Sequence, residues 1–101
     1  MSKLVSIIMN CKDGEKYLKD SLDSVLKQKY KKWELIFVDN NSKDKTKNIY
    51  KKYKDKRFKY FNTNKNLKLG AARQFALSKC RGEFIAFLDC DDLWNKNKLF
   101  F

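Results

Sequence analysis

The sequence has no histidine and no proline, and only three glycines and three cysteines among its 101 residues. Without histidine, neither a Ser/His/Asp triad nor a Cys/His pair can form, because hydroxyl and thiol lack the imidazole base that would activate them. Zinc of the Cys/His type is excluded too, and Cys11, Cys80 and Cys90 lack metal-finger spacing. Three glycines write neither of the common phosphate-cradling fingerprints, G-x-x-x-x-G-K-[ST] or G-x-G-x-x-G. Any phosphate ligand must then be held another way, by metal and Arg. No Pro-, Gly- or Ser-rich linker divides the chain, so residues 1–101 are expected to form one small domain or one part of a larger one. The longest uninterrupted apolar run, Phe84 to Leu88, is five residues, against the roughly 20 that a membrane-spanning helix needs. Unpatterned thiols and the lack of a cleavable apolar leader point to a reducing, cytoplasmic setting.

Positive charge is what the sequence has in excess, a formal +12. Such a surface attracts polyanions at long range, which keeps a polyanion-binding domain among the alternatives. However, among 24 basic residues only Arg57, Arg73 and Arg81 are Arg, whereas base reading and bidentate phosphate grips favour the guanidinium. The Lys residues also alternate with Asp and Glu, except around Lys43 to Lys59, where they decorate one predicted helix and its exit. A solubilising face with no specific nucleic-acid partner is therefore expected, able at most to hold the inner face of an anionic membrane weakly and peripherally.

Hydrophobic patterning sets the order of elements. Leu4 to Met9 is short, apolar on both faces and rich in branched residues, as in a strand buried between two layers. Asp13 is placed to cap the next helix, with Glu15 in its first turn and Leu18, Leu22 and Val25 at helical spacing as far as Gln28. Trp33 to Val38 forms a second buried strand, stopped by Asp39-Asn40-Asn41-Ser42. Ile49, Tyr50 and Tyr53 mark a short Lys-rich helix, and Arg57 to Phe61 a brief, partly exposed strand. Leu69, Ala72, Ala76 and Cys80 mark a third helix, with Gly82 as a left-handed terminator. Phe84 to Leu88 is the most apolar strand and is expected at the centre of the sheet. Strand and helix alternate throughout, which predicts an α/β fold: a Rossmann-like parallel sheet with helices on both faces. Ligands of such sheets gather at the carboxyl ends of the strands. Three of those ends carry polar loops, at Asn10 to Asp13, Asp39 to Ser42 and Asp89 to Asp92.

Asp89 and Asp91, two residues apart in an extended segment, can project to the same side and converge on one ion. Oxygen-only ligands suit magnesium or manganese, and open coordination positions suit a substrate diphosphate. The alternative is a helix cap, with Asp91 or Asp92 opening a helix at Leu93-Trp94. Asp39 could bind a ligand's ring N–H or ribose, or simply cap the following helix. Arg73, near the start of the alanine-rich helix, could meet an anion or form a surface ion pair.

The sequence resembles the family-2 glycosyltransferases of the GT-A fold. The likeness runs from Val5-Ser6-Ile7-Ile8-Met9-Asn10-Cys11 through Tyr17-Leu18, Ser21-Leu22, Ser24-Val25 and Gln28. It continues over Trp33-Glu34-Leu35-Ile36-Phe37-Val38-Asp39-Asn40-Asn41-Ser42-Lys43-Asp44-Lys45-Thr46 and Gly70-Ala71-Ala72-Arg73-Gln74, and ends in the stretch from Gly82 to Trp94. Two departures fall on the nucleotide-base side: Asn10-Cys11-Lys12 stands where the family usually has Pro and Thr before an aromatic, and Asn40 where it has a second Asp. The resemblance implies inverting, metal-dependent transfer of a sugar from a nucleotide donor, usually a UDP-sugar, onto a glycan or lipid acceptor, as in bacterial cell-surface polysaccharide synthesis. It implies that Asp39 binds the base, Asn10 and Cys11 line the base pocket, and Arg73 lies near the uracil and diphosphate. Asp89 would face the ribose and metal, and Asp91 would be the direct ligand of Mn2+ or Mg2+. The family's acceptor-binding half and its general base lie downstream of this motif, so residues 1–101 are expected to be the N-terminal, donor-binding part with no catalytic base of their own. A stand-alone nucleotide and metal binder without transferase activity is the alternative. Leu99-Phe100-Phe101 supplies an apolar surface through which self-association into a homo-oligomer is expected.

Overall fold

The computed structural model describes residues 3–99. Seven elements alternate: β1 (Val5–Cys11), α1 (Leu18–Leu26), β2 (Trp33–Asp39), α2 (Thr46–Tyr50), β3 (Phe58–Asn62), α3 (Leu69–Leu77) and β4 (Phe84–Phe87). All four strands are parallel, in the order β3-β2-β1-β4. Successive strand residues point to opposite faces, and the two faces are covered by different helices. Val5, Ile7, Met9 and Cys11 of β1 and Trp33, Leu35 and Phe37 of β2 pack with Leu18, Leu22 and Val25 of α1 and Tyr50 of α2. On the other face, Ile8, Ile36 and Val38 meet Ala76 of α3. Each such aliphatic side chain taken wholly out of water contributes about 1.5–3 kcal/mol. The small Ala72 and Ala76 are the buried residues of α3, as close helix-to-sheet packing requires.

The centre of the sheet is β1 and β2, and not the most apolar strand. β4 is at the edge, and Phe84, Ile85 and Phe87 are 42%, 40% and 52% exposed. Apolar residues on both faces identify a strand, but the order of crossovers decides which strand has neighbours on both sides, and β1 pairs with both β2 and β4. Two predicted helix signals also resolve differently. Asp13 does not cap α1: it sits in a left-handed turn (φ 53) and accepts the Lys43 backbone N–H at 2.6 Å, while α1 begins five residues later. Gly82 has no left-handed φ. It is required because a Cβ there would lie 2.6 Å from the Ser6 backbone nitrogen and 2.8 Å from the Leu4 carbonyl oxygen. Leu99 is buried in the core on the α1 side, and its N–H donates to Gln28 Oε1 at 3.0 Å; Phe100 and Phe101, the rest of the expected apolar patch, lie outside the described residues.

At the amino ends of the strands Glu34 is buried within β2, and its carboxylate organises three neighbours. Oε2 accepts the Ser6 hydroxyl at 2.6 Å and the Arg81 N–H at 2.7 Å, and Lys59 Nζ lies 3.4 Å from Oε1. Burial pushes the Glu34 carboxyl up, but these donors outweigh it and hold the group below its ordinary value. The native carboxyl is thus the stronger acid. Its stabilisation is complete above the unfolded value of 4.5 and is lost as pH falls through the lower native value. Glu34→Gln is accordingly expected to cost about 1–3 kcal/mol at neutral pH, by chemical denaturation, with the gap to wild type narrowing once the pH is taken well below 4.5.

Candidate functional site

The three polar loops meet at the carboxyl edge of the sheet, where the first two are laced together. Asn40 N–H donates to the Cys11 carbonyl at 2.8 Å, Asp13 N–H to Ser42 Oγ at 2.9 Å, Gly14 N–H to Thr46 Oγ1 at 2.9 Å and Glu15 N–H to Asp44 Oδ2 at 3.0 Å. A Cβ on Gly14 would lie 2.5 Å from Cys11 Sγ and 2.8 Å from Cys90 Sγ, so a larger residue there displaces both sulfurs.

The third loop is anchored from α1. Ser21 donates its hydroxyl to the Cys90 carbonyl at 2.9 Å and also to the Asp92 carbonyl. Ser24 Oγ accepts the Trp94 N–H at 3.2 Å, and Gln28 donates to the Asn95 carbonyl at 2.6 Å. Ser21 and Ser24 are buried polar residues on a helix whose other inward residues are aliphatic, and buried Gln28 follows two residues past its end. The segment they hold is a turn closed by Asp92 N–H on the Asp89 carbonyl at 3.0 Å. No helix follows it among the described residues, and Asp92 Oδ1 accepts only the adjacent Leu93 N–H. The helix-cap alternative for these carboxylates therefore has no helix to cap.

Two clefts open here and share Asn10 and Lys12. The larger, about 510 Å³, is lined by Asn10, Lys12, Asp13, Gly14, Lys16, Tyr17, Asp89, Cys90 and Asp91. The smaller, about 140 Å³, is lined by Asn10, Cys11, Lys12, Asn40, Leu69 and Ala72. Asn10 Oδ1 is buried with no hydrogen-bond partner among the described residues. Asn10 lines both clefts, and its buried oxygen can accept a ligand N–H or O–H once the side chain turns outward. Among the described residues no three His, Cys, Asp or Glu side chains form a closed cation cage. A hard cation would rest on Asp89 and Asp91, leaving positions open for water or phosphate oxygens.

The structure thus brings Asn10, Cys11, Asp89 and Asp91 together. Asp39 lies beneath them, 1% exposed and outside both linings. Its Oδ1 accepts the Ser42 N–H at 2.9 Å and its Oδ2 the Tyr60 hydroxyl at 2.6 Å. Burial, and then this bond to Asp39, push the Tyr60 phenol up to about 12, which keeps it a donor. Arg73 is exposed on α3, with its guanidinium 5.7 Å from the Phe87 ring centre, and lines neither cleft. Sequence reasoning missed Lys12, Lys16 and the role of Asn40. The Asn40 side chain clamps the loop before α3 by donating to the Leu67 carbonyl at 2.8 Å and accepting the Leu67 N–H at 2.9 Å. Lysines following the first strand were the available signal, hidden among many others. Cys11 and Cys90 bring their sulfurs together beside Gly14, and the neighbouring Cys90 thiol and burial raise the Cys11 thiol.

Because the Ser21 hydroxyl serves two carbonyls of the acidic turn, Ser21→Ala should cost about 1–3 kcal/mol. It should also speed amide hydrogen exchange at Cys90 to Trp94 more than in β1 or β2, as read by mass spectrometry.

The description "Glycosyl transferase family 2" belongs to the family model that matches residues 6–100. The chain is 46% identical over 97 residues to the Escherichia coli UDP-Glc:alpha-D-GlcNAc-diphosphoundecaprenol beta-1,3-glucosyltransferase WfgD, covering 95% of this chain and 38% of the relative. It is 39% identical over 98 residues to the Bacillus subtilis putative teichuronic acid biosynthesis glycosyltransferase TuaG, covering 95% and 39%. Among solved structures, residues 1–349 of S. aureus TarS in complex with UDP superimpose with a TM-score of 0.88 at 36% identity, over 94% of this chain and 29% of that one. The mannosyltransferase PcManGT of Pyrobaculum calidifontis, solved with GDP-Man and Mn2+, shares the fold with a TM-score of 0.83 at 23% identity, over 93% and 29%. This sequence spans well under half of each of these proteins. The α/β sheet is that of the GT-A glycosyltransferases, and the chain belongs to glycosyl transferase family 2.

Proposed function

We propose that residues 1–101 form the donor-binding part of an inverting, metal-dependent glycosyltransferase that moves a sugar from a UDP-sugar onto a glycan or lipid-linked acceptor in bacterial surface-polysaccharide synthesis. The observation that carries this reading is the pair of joined clefts, with the unsatisfied Asn10 acceptor at their junction and Asp89 and Asp91 in the wall of the larger one. In this reading the smaller cleft takes the base, with Leu69 and Ala72 against its ring and Asn10 Oδ1 accepting a polar hydrogen. Cys11 lines the same pocket. Asp39 reaches the base only if its side chain gives up its bond to Ser42 or Tyr60, and as placed it holds the floor beneath the base pocket. The diphosphate extends into the larger cleft, where Lys12 and Lys16 offset its charge. Asp91, with Asp89, would hold Mn2+ or Mg2+, which supplies charge neutralisation for the departing diphosphate. Arg73 reaches the nucleotide only if its side chain leaves the Phe87 ring. An inverting transfer also needs a base for the acceptor hydroxyl; we assign that base and the acceptor site to protein outside residues 1–101.

The E. coli relative is named for a diphosphoundecaprenol acceptor, which favours a lipid-linked acceptor here as well. No helix among the described residues is long and apolar enough to cross a membrane. A cytoplasmic protein held peripherally at an anionic membrane fits that acceptor and the Lys-rich surface.

Calorimetric titration with UDP, with and without Mn2+ and at two salt concentrations, tests the proposal. Binding should strengthen with Mn2+, and Asp91→Asn should remove about tenfold or more of the affinity, roughly 1.4 kcal/mol, only when the metal is present. UDP binding indifferent to both Mn2+ and Asp91→Asn would refute the assignment. Binding that ignores metal and collapses with salt would instead indicate a polyanion surface.

A further inference from the structure

We propose that Cys11 and Cys90 are a paired modification site, two thiols that close to a disulfide and thereby weaken nucleotide binding in the adjoining cleft. The inference rests on the donor-site reading for its consequence, but not for its chemistry. Three independent features bring the thiols together. Ile8 of β1 stands opposite Phe87 of β4, and Leu88 N–H continues the ladder to the Ile8 carbonyl at 3.0 Å. Cys11 ends β1, and Cys90 lies three residues past the end of β4, in the turn that follows it. A Cβ built on Gly14 would lie 2.5 Å from Cys11 Sγ and 2.8 Å from Cys90 Sγ, so the two sulfurs crowd the same point. Gly14 stands against both sulfurs and puts no side chain of its own between them. Ser21 pins the Cys90 carbonyl from the α1 side. Cys80 is not a competitor, because it packs on the opposite face of the sheet with Ala76 and Phe75.

The reaction needs an oxidant, and a small-molecule disulfide of the glutathione class supplies it. Half-buried Cys90 is the accessible member, and Cys11 is buried. The Cys90 sulfur gives up its proton and attacks the external disulfide, forming a mixed disulfide and releasing one thiol. Cys11 then gives up its proton, attacks the Cys90 sulfur and displaces the second thiol. Two protein thiols are oxidised and one external disulfide is reduced to two thiols. The new S–S bond is about 2.05 Å long, shorter than any contact between unbonded sulfurs, so Cys90 is drawn toward β1. Asp89 and Asp91 flank Cys90 directly and must move with it, and metal ligation tolerates displacements of only about 0.2 Å.

The test treats the protein with oxidised glutathione, maps disulfides by peptide mass spectrometry, and follows hydrogen exchange and UDP affinity with Mn2+ before and after reduction by dithiothreitol. A Cys11–Cys90 link should form in wild type and in Cys80→Ser but not in Cys90→Ser, with slower exchange at Asp89 to Asp92. UDP affinity should fall by about tenfold or more, as when the support of a metal site is disturbed, and return on reduction. No intramolecular link, a link through Cys80, or a Cys11–Cys90 link that leaves UDP affinity unchanged would overturn the proposal. If the reduced protein bound no UDP, the donor-site reading would fall. The link and its exchange signature, both read without nucleotide, would still decide whether the pair closes and constrains the turn.

Discussion

Three buried polar side chains, Ser21 and Ser24 of α1 and Gln28 two residues past its end, have to find hydrogen-bond partners in a region that is otherwise apolar. A buried hydroxyl or amide without a partner costs about 1–3 kcal/mol, so the partners are in effect compulsory. Much of that demand is met by the backbone that follows β4: the carbonyls of Cys90, Asp92 and Asn95 and the N–H groups of Trp94 and Leu99. Buried Leu88 and Leu99 bracket that stretch in the same core as α1. The path of the acidic turn is therefore fixed from beneath by a helix far away in sequence. Its carboxylates are free to point up into the cleft because the backbone, and not the side chains, does the anchoring. The same arrangement sets Cys90 over Cys11.

Most of the fold was legible in the sequence because the signals were local. Leu4 to Met9 and Trp33 to Val38 are apolar on both faces, and the strands observed there are shifted by no more than two residues at either end. The alanines of the third helix announced close packing, and Ala72 and Ala76 are its buried residues. What was illegible depended on contacts between distant segments. The apolar run Phe84 to Leu88 cannot reveal that it lies at an edge, since only the crossover order sets its neighbours. Asp13 reads as a cap until the Lys43 N–H, thirty residues on, takes its carboxylate. Gly82 reads as a terminator until Ser6 and Leu4 are seen against it.

The site was half legible. Asp89 and Asp91 stood out because clustered carboxylates at the end of an apolar strand repel one another, and among the described residues no helix follows for them to cap. Asn10 was named from resemblance, yet its unsatisfied oxygen is a three-dimensional fact that no spacing could supply. Asp39 lies deeper than expected, with both oxygens engaged by Ser42 and Tyr60. Arg73 rests on Phe87 outside the cleft linings. Lys12 and Lys16 were invisible for a compositional reason: in a chain of net charge +12 no single lysine is conspicuous.

On the donor-site proposal, UDP lies across the two joined clefts and Asp91 would hold the cation that neutralises its diphosphate. The most direct measurement is anomalous diffraction at the manganese edge from crystals grown with UDP and Mn2+. The expected result is a single manganese peak in contact with an Asp91 carboxylate oxygen beside the diphosphate, with the base against Leu69 and Ala72. Manganese bound away from Asp91, or UDP outside the clefts that share Asn10, would contradict it.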